Sequence, residues 1–587
     1  MPRQPDRDRA SRLIPLISGV NLSDQHLTTE TNYVPTEQVS TDPGTGGDLL
    51  VRLLKEAGVE VVFGVCSIHN MPLVEAVARD LTFVPMRHEA AVVNAADGYA
   101  RASGRFGVAL TSTGTGAGNA AGAMLEALNA SSKVLHITGN VSSEFLGAGK
   151  LVYHEVPRQL QMLDAVSMKT WRIERAEDSE RVLREAIARF DAPPYGPLSV
   201  DWPIDLQYTA HPDKQDRPTD IQKPELIQPR DVDVRVALEA MRQAKRPLIW
   251  AGGGATEVGE AFTRLAEQWG AAVITGSGGR ASISEDHELN IGNFPLNAEA
   301  LPLIQEADLL LTVGSHLRGN ETSNFSLPLP EMHIRIDVDE ESLALNYPAS
   351  IVLHADARPT IQALAEGLGE VSTESGWRER ATETRAAVRE EHRRQIGAYA
   401  EICDSMIERL PEDTVFVRDV TIPGTSWGNR LLRVSRPENN IGADGGGIGQ
   451  GLAQAVGAGL ARRGNDDGCV LAITGDGGLQ VHLGEFGSLA EQGDRVILTI
   501  FNDGGYGILR HLQEAKGGPH RAVDLLAPDF AQLSASFGLP YAKASSAEEF
   551  DRVLEEAATR NGPSVIEIDI TALDPQPEPV LPAIDVP

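Results

Sequence analysis

Cysteine is scarce in this chain. Its 587 residues include only Cys66, Cys403 and Cys469. No two of these form a CxxC pair, which argues against a disulfide framework and against a cysteine zinc site. Long apolar runs are also missing. None approaches the ~20 residues that cross a bilayer, and the N-terminal LIPLISGV is short for a secretory core and lacks a convincing cleavage site. A cytoplasmic protein with no membrane partner is expected. The third deficit is positive charge: 52 Lys and Arg stand against 83 Asp and Glu, a formal charge of −31. A nucleic-acid partner is therefore not expected, because such binders carry basic stripes. An anionic small ligand would need backbone N–H groups or a metal ion to hold it.

The composition, 41% apolar with 57 glycines, suits compact α/β domains, and the length calls for more than one core. Residues 1–45 are polar and aperiodic and read as a flexible arm. Helix and strand patterns then alternate through a first unit, 46–210, which predicts a parallel sheet covered on both faces. A polar linker is expected over 211–230, a second α/β unit over 231–375, a charged helical connector over 376–410, a third unit over 411–575, and a Pro-rich tail over 576–587. The expected fold class is thus α/β, with three doubly wound parallel-sheet domains. The first and third units look like variations on one plan, without a strict repeat.

One βαβ segment carries chemistry. The strand Cys469–Thr474 ends in Gly475-Asp476-Gly477-Gly478, a helix follows over about His482–Gln492, and the strand Arg495–Phe501 ends in Asn502-Asp503. A right-handed crossover brings both glycine-rich ends to the carboxyl edge of the sheet, where α/β proteins bind ligands. Either end alone is ordinarily a turn. Together they read as hard oxygen ligands around a Mg²⁺ that keeps room for phosphate, with glycines that let backbone N–H groups approach it.

GDG followed at crossover distance by an Asn pair resembles the thiamine-diphosphate motif of the acetolactate synthase / benzoylformate decarboxylase-like superfamily. The resemblance runs from Gly46 to about Ile570 through FGVCSIHNMPLVEAV, RHEAAVVNAADGYAR, TGTGAGNAAGAMLEA and GGGIGQGLAQAVGAG. It implies a pyrimidine-binding first domain, a central domain, and a last domain that binds thiamine diphosphate and Mg²⁺. It further implies that Asp476, the second residue of the Asn pair and the Gly505 carbonyl hold the metal. Gly475, Gly477, Gly478 and Asn502 would complete the cofactor cradle. Here the second residue is Asp503, a carboxylate where relatives have an amide. Register favours Asp503, with Asn502 as the alternative. The resemblance makes Glu89 the catalytic acid on the pyrimidine N1′, against the bland reading of a helix N-terminal Glu. It gives the Gly446 carbonyl to the 4′-amino group and makes Ile448 the wedge under the bent cofactor, though ordinary core packing also suits an isoleucine.

The reaction implied is C–C bond chemistry on a 2-oxo acid or 2-hydroxyketone, as decarboxylation, carboligation or both. The alternatives are a benzaldehyde lyase- or benzoylformate decarboxylase-like lyase, or a non-catalytic scaffold, against which intact Glu89 and Asp476 argue. The adjacent histidines and the Glu of pyruvate decarboxylase-like enzymes correspond to Ala148-Gly149 and Leu509, so that relay is absent. Ser112 occupies the slot of the benzoylformate decarboxylase-like histidine. His69, His154, Ile508 and Leu509 are expected to line the substrate pocket with it. His482, at the head of the crossover helix, suits either a cap or the site. FAD is possible but not favoured, since Gly252-Gly253-Gly254 runs into Ala255-Thr256-Glu257 without a third glycine. Family geometry implies a homodimer or homotetramer.

Overall fold

The computed structural model describes residues 44–210, 224–465 and 468–580. The arm expected over residues 1–45 falls outside the described residues except for its last two, as do 211–223 of the expected linker and 581–587 of the tail. Three six-stranded sheets organise the rest, and every strand pairing inside them is parallel. Their central strands, such as Gly107–Thr111, Leu309–Val313 and Val496–Asn502, are almost wholly buried. A strand covered by helices on both faces needs a near-continuous apolar run, and GVALT, LLLTV and VILTIFN provide one. Numbering each sheet's strands along the chain, the first and third sheets share the order 2-1-3-4-6-5, and the central sheet runs 3-2-1-4-5-6. Both orders reverse direction beside the first strand, which opens a crevice at the carboxyl edge.

Helix starts follow local chemistry. The helix Gly46–Glu56 opens on a capping box: Thr45 accepts the Asp48 N–H, and the Asp48 carboxylate accepts the Thr45 N–H at 2.7 Å. Leu49, Leu50, Leu53 and Leu54 fall on the face it buries. The connector consists of two helices, Trp377–Ile396 and Tyr399–Arg409. Among the described residues no helix is long and apolar enough to cross a membrane.

The first and third domains meet through equivalent helices, Glu89–Ser103 and Gly451–Arg462, each lying between the second and third strands of its domain. The contact is backbone on backbone. A Cβ at Gly98 would lie 2.1 Å from the Gln454 carbonyl oxygen, and one at Gly457 would lie 1.9 Å from that of Ala95. The same sequence interval separates Gly98 from Gly457 and Ala95 from Gln454, so the two contacts are related by a pseudo-two-fold axis. This is the shared plan that no strict repeat reveals. In the central domain, Gly252 and Gly254 pack against the backbone of Gly314, and the buried Glu321 carboxylate takes the Ser277 N–H at 2.7 Å. These glycines serve strand-end packing.

Candidate active site

The strand Val470–Gly475 runs straight into a helical turn at Asp476, with no separate loop between them. Gly475 pairs in register with Phe501, so Asp476 and the Asn502-Asp503 pair end neighbouring strands. The Asp503 N–H donates to Asp476 Oδ1 at 3.2 Å, while Asp476 Oδ2 is buried with no hydrogen-bond partner in the chain. Burial, and then the neighbouring Asp503 charge, push the Asp476 carboxyl up to about 6. The Gly505 carbonyl packs over Gly477, where a Cβ would lie 2.5 Å from it, and Gly505 itself has φ +153°. Both positions require glycine.

The two residues of the Asn pair diverge. The Asn502 side chain donates to Glu567 at 3.0 Å and accepts the Gly504 N–H at 3.1 Å. The Asp503 carboxylate stays beside Asp476, paired with Arg510 (Oδ1–Nη1 3.1 Å). Burial still raises the Asp503 carboxyl despite Arg510. Ile508 and Leu509 begin the helix Gly507–Ala515 immediately beyond, and Leu509 is exposed. On the other side of Asp476, Gly478 abuts Ile448 and the Gly449 amide. Gly446 has φ +75°, and Ile448, 38% exposed, turns an apolar side chain outward.

Asp419 braces that loop from the end of the strand Val415–Arg418, a role the sequence reading missed. It accepts the N–H groups of Gly449 (3.0 Å) and Gly451 (3.1 Å), and burial raises it to about 6. The available signal was an acid closing a strand at the same sheet edge as Asp476.

A second cluster lies at the carboxyl edge of the first domain. Glu89 opens its helix after the N-cap His88 and accepts a hydrogen bond from Asn119 Nδ2 at 3.0 Å. Gly116 leaves room for it, since a Cβ there would sit 2.9 Å from Glu89 Oε1 and 2.7 Å from the Ser112 Cβ. His69 and His154 face each other with ring centroids 5.3 Å apart. His154 holds the left-handed φ of +69° with its carbonyl against Gly114; such conformations in non-glycine residues concentrate at functional sites. Burial, and then His154, lower the His69 pKa. His482 sits at a kink after Asp476 and faces His88 at 5.3 Å. Burial, and then His88, lower it to about 4.

The structure therefore gathers the expected residues into two sets. Glu89, His69, Ser112 and His154 share the first domain's edge; Asp476, Asp503, Gly505, Gly446, Ile448, Ile508 and Leu509 share the third's. Within the chain, the Glu89 segment and the Gly445 loop touch the helix Thr115–Asn129 at different levels. Glu89 meets the helix Thr115–Asn129 near its start, at Asn119, whereas Gly445 meets Glu126 two turns further along, a separation of about 10 Å along the helix axis.

Sequence comparison matches residues 44–168 to the thiamine pyrophosphate enzyme N-terminal TPP-binding domain, 234–364 to the central domain and 424–568 to the C-terminal TPP-binding domain. The chain belongs to the thiamine pyrophosphate enzyme family. Relatives of this TPP enzyme include the "Probable 2-ketoarginine decarboxylase" of Pseudomonas aeruginosa, 30% identical over 89% of this chain and 94% of that protein. The "Probable acetolactate synthase large subunit" of Methanocaldococcus jannaschii is 27% identical over 91% and 93%. The acetolactate synthase isozyme 2 large subunit of Escherichia coli is 26% identical over 90% and 96%. The "X-ray structure of a putative thiamin diphosphate-dependent enzyme isolated from Mycobacterium smegmatis" superposes with a TM-score of 0.75 at 22% identity, covering 90% of this chain and 99% of that one; it shares the fold.

The residues present fit the family's cofactor. The unpartnered Asp476 Oδ2, the Gly505 carbonyl and the Asp503 carboxylate are all oxygen donors, the type that suits a Mg²⁺ keeping phosphate and water ligands. Two adjacent raised carboxyls are the environment a divalent cation relieves.

Proposed function

We propose that this TPP enzyme carries out thiamine diphosphate- and Mg²⁺-dependent C–C bond chemistry on a 2-oxo acid, as decarboxylation or carboligation. The observation that carries the reading is the pairing of a free, buried Asp476 oxygen at one sheet edge with a Glu89 cradled by Gly116 and Asn119 at the other. Asp476, Asp503 and Gly505 would hold the metal, and Gly475, Gly477 and Gly478 the diphosphate. Ile448 and Gly446 would hold the pyrimidine side. When bound, thiamine diphosphate supplies an electron sink for the carbonyl carbon of the substrate.

Glu89 would share a proton with the aminopyrimidine, a task for a carboxyl held in place by the neutral Asn119 amide. His69 and His154 would face the substrate. A lowered His69 stays neutral near pH 7 and can accept or pass a proton, which serves decarboxylation and carboligation alike. The relative named as a decarboxylase supports the first reaction and those named acetolactate synthases the second. Ile508 and Leu509 would give the pocket an apolar wall.

From the separation of about 10 Å between the helix positions that hold Glu89 and Gly445, we infer a homodimer or higher homo-oligomer in which each site takes Glu89 from one copy and Asp476 from another. Exposed apolar side chains beside both sets support this reading: Leu151 at 91% and Tyr153 at 74% next to His154, Val481 at 51% against Gly449, and Leu526 at 92%.

Co-expression tests the assignment. Glu89→Gln and Asp476→Ala are each expected to be inactive on a panel of 2-oxo acids. Random pairing of the two should restore about a quarter of the intact sites. Complete inactivity of the mixture would refute the shared site. Separate detection of carbon dioxide and hydroxyketone, with and without an acceptor aldehyde, distinguishes decarboxylase from carboligase.

A further inference from the structure

The first and third domains grip one another through two buried carboxylates that the reading above leaves without a task. Glu126, on the helix Thr115–Asn129, accepts the Asp444 N–H at 2.6 Å through Oε1 and the Gly445 N–H at 2.7 Å through Oε2. Gly445 is required there, since a Cβ would lie 2.7 Å from that second oxygen. Arg101 (3.0 Å) and Arg318 (3.4 Å) pin the Asp444 carboxylate. The counterpart lies across the pseudo-two-fold axis. Glu485 accepts the Arg87 N–H at 2.9 Å, and its other oxygen takes the Ser488 hydroxyl. The Arg87 guanidinium closes on Ser488 (2.8 Å) and Glu491 (2.6 Å). The same sequence interval separates Glu126 from Glu485 as separates Gly98 from Gly457, so the two clamps are equivalent.

Each clamp holds the segment that enters a functional element. Asp444-Gly445 leads into Gly446–Ile448, and Arg87 leads into Glu89. We propose that Glu126 and Glu485 are reciprocal positioning residues, each fixing from the opposite domain one half of the thiamine site, Glu126 the Gly446–Ile448 loop and Glu485 the Glu89 turn. The proposal rests on the function assigned above to those two segments. In an assembled dimer they serve different sites, so one rigid core within each chain sets the geometry of both. Burial, and then the Asp444 charge, push the Glu126 carboxyl up to about 7, but both its oxygens accept an N–H; a Gln amide would turn an N–H donor toward at least one of those two amides, leaving it unsatisfied.

Amide hydrogen exchange on the full-length protein without cofactor tests the clamps. Glu126→Gln should speed exchange at Asp444 and Gly445 by about tenfold or more while leaving Arg87 unchanged, and Glu485→Gln should do the reverse. Calorimetry with thiamine diphosphate at saturating Mg²⁺ should then show affinity weakened about tenfold in Glu126→Gln. In Glu485→Gln it should stay within about threefold while turnover falls. Glu126→Asp and Glu485→Asp, which keep the charge, serve if a Gln variant does not fold, with smaller shifts at the same amides. Exchange unchanged in both variants, or raised equally at both segments, overturns the proposal. If the wild-type protein binds no thiamine diphosphate, the functional reading falls, while the exchange pattern still decides the clamps.

Discussion

Gly457→Ala is a sharp test of the helix contact that joins the two cofactor-related domains. The added Cβ would stand 1.9 Å from the Ala95 carbonyl oxygen and 2.9 Å from the Tyr99 amide nitrogen. A relaxed carbon–oxygen contact is about 3.3 Å, so the helices must part by about 1.4 Å. No side-chain rotamer relieves the clash, because the opposing atoms are backbone. Overpacking of this kind costs about 1–3 kcal/mol, and the upper end applies when nothing can rotate away. In an unhindered helix the same change stabilises by about 1 kcal/mol. A net loss of about 2 kcal/mol follows, lowering the thermal midpoint of a domain of this size by about 4–8 °C. Glu89 heads one helix and the Gly446–Ile448 loop leads into the other, so the shift displaces both, and a 1 Å misplacement costs about 100-fold in turnover. Calorimetric melting and a 2-oxo acid turnover assay measure the two effects. A midpoint that is unchanged or raised would refute the reasoning, since even the sign differs between an open and a closed glycine.

Glu89→Gln should lower turnover by about 100-fold or more while shifting thiamine diphosphate affinity little, as calorimetry beside steady-state kinetics would show. Asp503→Asn removes one of two adjacent negative charges. It should weaken binding of Mg²⁺ alone yet leave thiamine diphosphate at saturating Mg²⁺ bound at least as tightly, measured by titration of each; unchanged Mg²⁺ affinity would take Asp503 out of the metal set. Chelation with EDTA should release the cofactor, observed as lost turnover that Mg²⁺ restores. His136 is buried between Thr111 and Ser199 (2.8 and 3.2 Å), and burial lowers it to about 4. A lowered histidine contributes stability that is present above its ordinary value of about 6.5 and is lost as pH falls toward 4, at most about 3 kcal/mol. Denaturation across that window should be less pH-dependent in His136→Gln than in the wild type.

Much of the fold was legible because it is locally encoded. The runs GVALT and VILTIFN announce buried parallel strands by periodicity, and crossover handedness alone places Asp476 beside Asn502-Asp503. The role proposed for Glu89 was not legible this way; as an isolated residue it is a helix N-terminal acid, and only the resemblance singled it out. Local pattern could not reveal the His69–His154 pairing, the bracing of Gly449 by Asp419, or the two carboxylate clamps. Each joins positions far apart in the chain, and nothing in the residues near one end depends on the other. Asp503 illustrates the division well. Its carboxylate in place of an amide is visible in NDGG, but its compensation by Arg510 depends on how the following helix folds back.

The sequence by itself determined three parallel α/β sheets, the placing of Asp476 beside Asn502-Asp503 at the end of one βαβ unit and the family to which these belong, because sterics, apolar periodicity and crossover chirality act over short stretches. Tertiary structure decided how the first and third domains lock across a glycine contact, which carboxylates brace which loops, and that Glu89 and Asp476 stand at the edges of two different sheets. Those outcomes depend on backbones approaching within van der Waals contact across hundreds of residues, a condition that no local pattern encodes.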